Sequence, residues 1–104
     1  MTLNVRSEKN LAGVHPDLVK VVRLAAERAE FVVTEGLRTP ERQAQLVAAG
    51  ASKTTKSRHL TGHAVDLAAL VGDEIRWDWP LYKKLADVMK QAAQELNVPT
   101  EWVS

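Results

Sequence analysis

Cysteine is absent from the 104 residues, so no disulfide braces this chain and no thiolate can hold a metal ion. Neither sign of charge is in excess: 14 Lys and Arg stand against 13 Asp and Glu, a formal net charge of +1. A small domain that grips a polyanion needs a basic surplus, so nucleic acid is not an expected partner. No apolar run approaches the roughly 20 residues of a membrane span. The first ten residues are polar and lack the apolar stretch of a signal peptide, which predicts synthesis in the cytoplasm without export. Work outside the cytoplasm would then need another route, such as membrane pores made by a companion protein. Aromatic residues are scarce, at 5%, and most of them are tryptophan.

What is present is ordinary for a globular protein, with 45% hydrophobic and 26% charged residues, and the length suits one domain with one core over residues 1–104. Pro16 suits the first turn of a helix. Leu18, Val21, Val22, Ala25 and Ala29 follow at helical spacing, predicting an amphipathic helix to about residue 30. Residues 31–34, Phe-Val-Val-Thr, form a short β-branched run that reads as a buried strand, ended by Gly36 and followed by a loop carrying Arg38. Thr39 and Pro40 cap and open a second helix that Gly50 stops. Residues 51–58 read as an exposed polar loop, 63–70 as a strand, and 75–77 as a second short strand after a turn. A long helix from Pro80 would bury Leu81, Leu85, Val88, Ala92 and Leu96. Pro99 ends it, and residues 100–103 look like the start of another strand.

The chemistry concentrates in Ser57-Arg58-His59-Leu60-Thr61-Gly62-His63-Ala64-Val65-Asp66. His59 offers an imidazole nitrogen and Asp66 a carboxylate oxygen, and three such protein ligands with a water make an open zinc site capable of hydrolysis. Two are visible. On the residues alone His59 reads equally as an exposed loop histidine. Asp66 lies between Val65 and Leu67, where a carboxylate needs either a metal ion or an arginine, Arg38 or Arg58, to replace its hydration. Strand parity sets Ala64, Asp66 and Ala68 on one face and His63, Val65 and Leu67 on the other, which gives His63 a hydrogen-bonding or substrate-edge role. His15 reads as a helix-entry residue. Arg38 could point into a cleft and stabilise a carboxylate or a developing oxyanion, or lie on the surface. Lys53, Lys56 and Arg58 lack interleaved aromatics and read as a solvated loop. Trp77, Trp79 and Tyr82 read either as residues closing the core or as a sugar-binding platform.

These residues resemble the zinc peptidases of bacterial cell walls related to D-alanyl-D-alanine carboxypeptidases, and most closely their phage endolysin branch, the L-alanyl-D-glutamate endopeptidases. Ser57, His59, Gly62, Ala64 and Asp66 match the pattern S-x-H-x-x-G-x-A-x-D in full, and the likeness extends over residues 34–39, Arg42-Gln43, the loop after Gly50, Trp77-Asp78-Trp79 with Tyr82, and the last helix into Glu101-Trp102. The resemblance implies an α+β, hedgehog-like fold, with helices packed on a small, mainly antiparallel sheet. It implies zinc on His59 and Asp66, Arg38 as the residue that stabilises the tetrahedral intermediate or holds substrate, and Gln43 and Ser57 lining the site. It further implies peptidoglycan stem peptides as substrate, synthesis in a host cytoplasm, and release through holin pores to the cell wall. In the family a general base and a third metal-binding histidine belong to a segment after the Glu-Trp pair, where this sequence has Val103-Ser104. The expectation is therefore a single peptidase-like domain without the family's last strand segment. Beside the reading as a zinc peptidase stands that of a non-catalytic module that binds peptidoglycan or a partner.

Overall fold

The computed structural model describes residues 3–51 and 57–99. The loop residues 52–56, with Lys53 and Lys56, and the strand expected from residue 100 lie outside them. Among the described residues four helices and a three-stranded antiparallel sheet follow in the order α1 (Val5–Asn10), α2 (Pro16–Ala26), β1 (Phe31–Glu35), α3 (Pro40–Ala48), a 3-10 turn (Arg58–Thr61), β2 (Asp66–Val71), β3 (Glu74–Arg76) and α4 (Trp79–Glu95). The sheet order is β1-β2-β3. This is the α+β architecture with a small antiparallel sheet that the sequence predicts.

Helix starts follow local chemistry. Asn4 caps α1 and Thr39 caps α3, each side chain accepting a backbone N–H of the first turn, and Pro16, Pro40 and Pro80 each occupy a first-turn position. The helix α2 ends at Ala26, earlier than expected, and Arg28 and Ala29 continue as a turn bonded back to the Ala25 carbonyl. The helix α1 escapes sequence periodicity because polar contacts hold it. Its Val5 is 73% exposed, whereas Ser7 is fully buried. Ser7 Oγ accepts from the Val33 amide at 2.8 Å, and Asn10 Nδ2 donates to the Val33 carbonyl at 2.8 Å. Both bonds occupy backbone groups on the free side of β1, where an open strand edge would invite pairing with another chain.

Leu18, Val21, Val22 and Ala25 of α2 meet Leu85, Met89, Ala92 and Ala93 of α4 in the core, with Phe31 and Val33 of β1. The apolar stripe of α4 is thus shifted from the expected one, taking Met89 and Ala93 inward and leaving Leu96 39% exposed. Ala25, Ala92 and Ala93 are fully buried in this shared core, and side chains that small suit close helix packing. Trp77 and Trp79 do not close the core: they are 70% and 78% exposed, because β3 is the sheet's edge strand and α4 begins beyond the packed layer.

Pairing of β1 with β2 matches Phe31 with Ala69, Val32 with Ala68 and Val33 with Leu67, then slips at a bulge so that Glu35 faces Asp66. Cross-strand partners share a face, so Leu67 and Ala69 lie on the side of Phe31 and Val33, while Asp66 and Ala68 lie on the other, as strand parity predicts. The strand itself begins only at Asp66, three residues later than expected, and residues 63–65 lead into it without ladder partners.

Candidate functional site

Three segments converge at the bulged end of β1 and β2. The first is the loop from Gly36 to Arg38. Its Arg38 amide donates to the His59 carbonyl at 2.8 Å, which fastens it to the second segment, the 3-10 turn. That turn begins at Ser57, whose Oγ accepts from the His59 amide at 3.2 Å, and ends at Gly62, left-handed at φ 79°. The Gly62 carbonyl accepts from the His15 amide at 2.7 Å, and a Cβ at Gly62 would stand 2.5 Å from the Gly13 carbonyl oxygen. A side chain there would be strained twice, by φ and by the close approach. The third segment is the start of β2, which brings Asp66.

His59 is buried, and its Nδ1 lies 2.8 Å from the Gly36 carbonyl oxygen. A carbonyl only accepts, so Nδ1 carries the hydrogen and Nε2 of the neutral ring is left with its lone pair. That lone pair faces Asp66 Oδ1 at 3.4 Å. Two electron-rich atoms at that separation repel unless a cation, either a proton or a metal ion, lies between them. Protein ligands about 2.0–2.2 Å from a tetrahedral zinc are separated by about 3.4 Å, so the spacing fits two corners of such a site. The Gly36 carbonyl then serves as the outer partner that fixes ring tautomer and direction. Among the described residues no group of three or more His, Asp or Glu side chains is placed to hold a metal ion, so the described part of the site offers two donors.

Asp66 is half exposed rather than enclosed in the strand, because the bulge lies at the sheet's end. Its Oδ2 accepts from Arg38 Nη2 at 3.2 Å while Oδ1 faces the imidazole, so of the partners the sequence offered Asp66 the described residues supply Arg38. Arg38 is itself buried, and Nη1 donates to Gln43 Oε1 at 2.7 Å. Gln43 is 1% exposed, so it acts from beneath, orienting the guanidinium. Glu35 takes two further bonds, from Arg38 Nε at 2.9 Å and Nη2 at 3.2 Å. Sequence reasoning gave Glu35 no site role. Its signal is weak, a single carboxylate three residues before an arginine, and only the bulge opposes it to Asp66. Two carboxylates directly opposite repel, and Arg38 between them offsets this.

His63 sits apart from this cluster in its own contacts. Its ring lies 4.9 Å from that of His15, and its Nδ1 is 2.8 Å from Thr61 Oγ1. Arg58 contributes its carbonyl, which accepts from the His63 amide at 2.9 Å.

Gly36 is where the backbone is tightest: a Cβ there would come within 2.0 Å of the Asn10 carbonyl oxygen and 2.7 Å of Val14 Cγ2. Gly36→Ala is expected to destabilise the fold by about 3 kcal/mol, read as a lowered urea midpoint, since strand and helix must part to admit one methyl group. The same displacement moves the carbonyl that holds His59.

The sequence profile of the family described as phage L-alanyl-D-glutamate peptidase matches residues 1–104. The chain belongs to that family. The L-alanyl-D-glutamate peptidase of Escherichia phage T5 is 35% identical over 106 residues, covering 92% of this chain and 77% of the relative. That of Listeria phage A118 is 41% identical over 54 residues, 52% of this chain and 18% of the relative. The crystal structure of the Serratia marcescens L-Ala D-Glu endopeptidase ChiX superposes with a TM-score of 0.86 at 47% identity, covering 93% of this chain and 74% of that one. Membership of the phage L-alanyl-D-glutamate peptidase family therefore rests on the whole chain rather than on the motif from Ser57 to Asp66 alone. Among the described residues no helix is long and apolar enough to cross a membrane.

Proposed function

We propose that this chain is a zinc-dependent peptidase that cleaves the L-alanyl-D-glutamate bond of peptidoglycan stem peptides. The observation that carries the reading is the pair of opposed lone pairs, His59 Nε2 and Asp66 Oδ1 at 3.4 Å, in a chain of the peptidase family. His59 and Asp66 would hold the zinc together with a further ligand from outside the described residues. Bound zinc would supply Lewis acidity and lower the pKa of a coordinated water. Around it, Arg38 is oriented by Glu35 and Gln43 so that its guanidinium edge, shared with Asp66, can stabilise negative charge on the carbonyl oxygen under attack. Ser57 holds the turn that aims His59, and His63 would have a substrate-edge role. Synthesis in a host cytoplasm and release through holin pores fit a chain whose substrate is the cell wall.

The test is to incubate the chain with zinc and a stem peptide containing L-alanyl-D-glutamate, and to follow the new amino-terminal D-glutamate. Cleavage with about one zinc per chain after dialysis is expected. Absence of both would favour the second reading, a non-catalytic peptidoglycan-binding module, for which the same two residues form only an ion pair.

Without metal, a proton fills the gap, and the two groups titrate accordingly. Burial works against charge on His59, but the hydrogen bond with Asp66, the Gly36 carbonyl and the Asp66 charge together raise its pKa above 6.5. Asp66 is lowered below 3.8, foremost by the hydrogen bond from His59, against desolvation, with the charges of His59 and Arg38 adding. A raised histidine stabilises the fold fully below 6.5 and loses that contribution as pH climbs through its folded value; a lowered aspartate stabilises above 3.8 and loses it as pH falls. In EDTA the pair is thus expected to help most between those two values. Zinc requires the neutral ring, so its stabilisation should grow above that window. Thermal midpoints from pH 4 to 9, with EDTA and with zinc, should diverge as pH rises; parallel curves would count against a shared site.

A further inference from the structure

A cleft of about 490 Å³ opens beside the candidate centre and shares Asp66 with it; Thr34, Trp77, Tyr82, Leu85 and Met89 supply most of the remaining wall. The Trp77 and Tyr82 rings are stacked, 17° from parallel with centroids 5.8 Å apart, and Trp77 is 70% exposed. Leaving so much flat aromatic surface in water beside a reactive centre is unfavourable unless something covers it in use. Charge separates this cleft from the other flank of the site. Among the described residues no lysine or arginine lines it, whereas Arg38 and Arg42 both approach Glu35, which does not line it.

The two sides of the proposed scissile bond differ in the same way. The D-glutamyl side brings carboxylates and suits the flank with the arginines. In peptidoglycan the L-alanyl side continues as the lactyl ether of N-acetylmuramic acid, which is uncharged and presents a sugar face of axial C–H groups. We propose that the Trp77–Tyr82 cleft is the subsite for this acyl side, seating L-alanine against Leu85 and Met89 and the muramyl sugar on the Trp77 ring. The assignment rests on the peptidase reading above, and makes the sugar-bearing stem the preferred substrate over a free peptide.

Binding tests it without turnover. The chain in EDTA is titrated with N-acetylmuramyl-L-alanyl-D-glutamate and with unglycosylated L-alanyl-D-glutamate, following tryptophan fluorescence and heat. The muramyl ligand is expected to bind about tenfold more tightly, a margin of the size one aromatic contact confers. Trp77→Ala should erase that margin and leave the affinity for the free peptide within about twofold, while Trp79→Phe keeps it. Circular dichroism should show that both variants fold, since Trp77 and Trp79 are exposed. Equal affinities in the unaltered chain, no binding of either ligand, or a margin that survives Trp77→Ala would overturn the subsite. Cleavage of a free stem peptide by the zinc-loaded chain reports separately on the peptidase reading.

Discussion

Asp66→Ala is expected to lower zinc affinity and hydrolysis of the L-alanyl-D-glutamate bond by more than about 100-fold while leaving the chain folded. Removing an outer partner of a metal ligand typically costs 10- to 100-fold, and loss of a ligand exceeds that. The fold should survive because Asp66 is half exposed at the end of β2 and because Arg38, its partner, keeps Glu35 and Gln43. Asp66→Asn preserves shape and the bond from Arg38 but weakens the donor, and should fall between. Zinc content after dialysis, peptide cleavage and a thermal melt measure the three consequences separately. An Asp66→Ala protein that retained zinc and turnover would remove this residue from the metal site.

Arg38→Ala should damage both stability and chemistry. The guanidinium is 9% exposed and satisfies Glu35, Gln43 and Asp66 at once. Its loss leaves two carboxylates opposed across the bulge and a fully buried amide oxygen deprived of its donor. Breaking a buried ion pair from one side costs about 3 kcal/mol, and removing a donor to a developing oxyanion costs about 10²- to 10³-fold in turnover. Arg38→Lys should recover little, since one ammonium cannot span three acceptors that a planar fork reaches. Urea denaturation and kcat on zinc-loaded protein check the two losses. A variant with unchanged kcat would show that Arg38 serves the fold alone.

The contrast between the two variants follows from burial, and burial is what the sequence conveyed unevenly. Strand parity correctly set Asp66 apart from Val65 and Leu67, yet its placement between two apolar residues suggested an enclosed carboxylate, whereas the end of β2 leaves it half exposed. Helix α1 was illegible because Ser7 and Asn10, not an apolar stripe, attach it to β1. The exposed Trp77 and Trp79 misled in the opposite sense: large apolar side chains usually close a core, and here they stand at a sheet edge beside the site.

By itself the sequence determined where α2, α3 and α4 begin, through Thr39 and the first-turn prolines, and which donors are available, His59 and Asp66 on either side of a glycine. Those are properties of neighbouring residues, set by backbone φ and by unpaired amide groups within one turn. Tertiary structure alone decided that the Gly36 carbonyl fixes the His59 tautomer, that a bulge opposes Glu35 to Asp66, and that Arg38 bridges them. Most of these contacts join residues more than twenty positions apart in the chain, where direction and distance come from how the strands pair and the loops pack, and no local pattern of residue types encodes them.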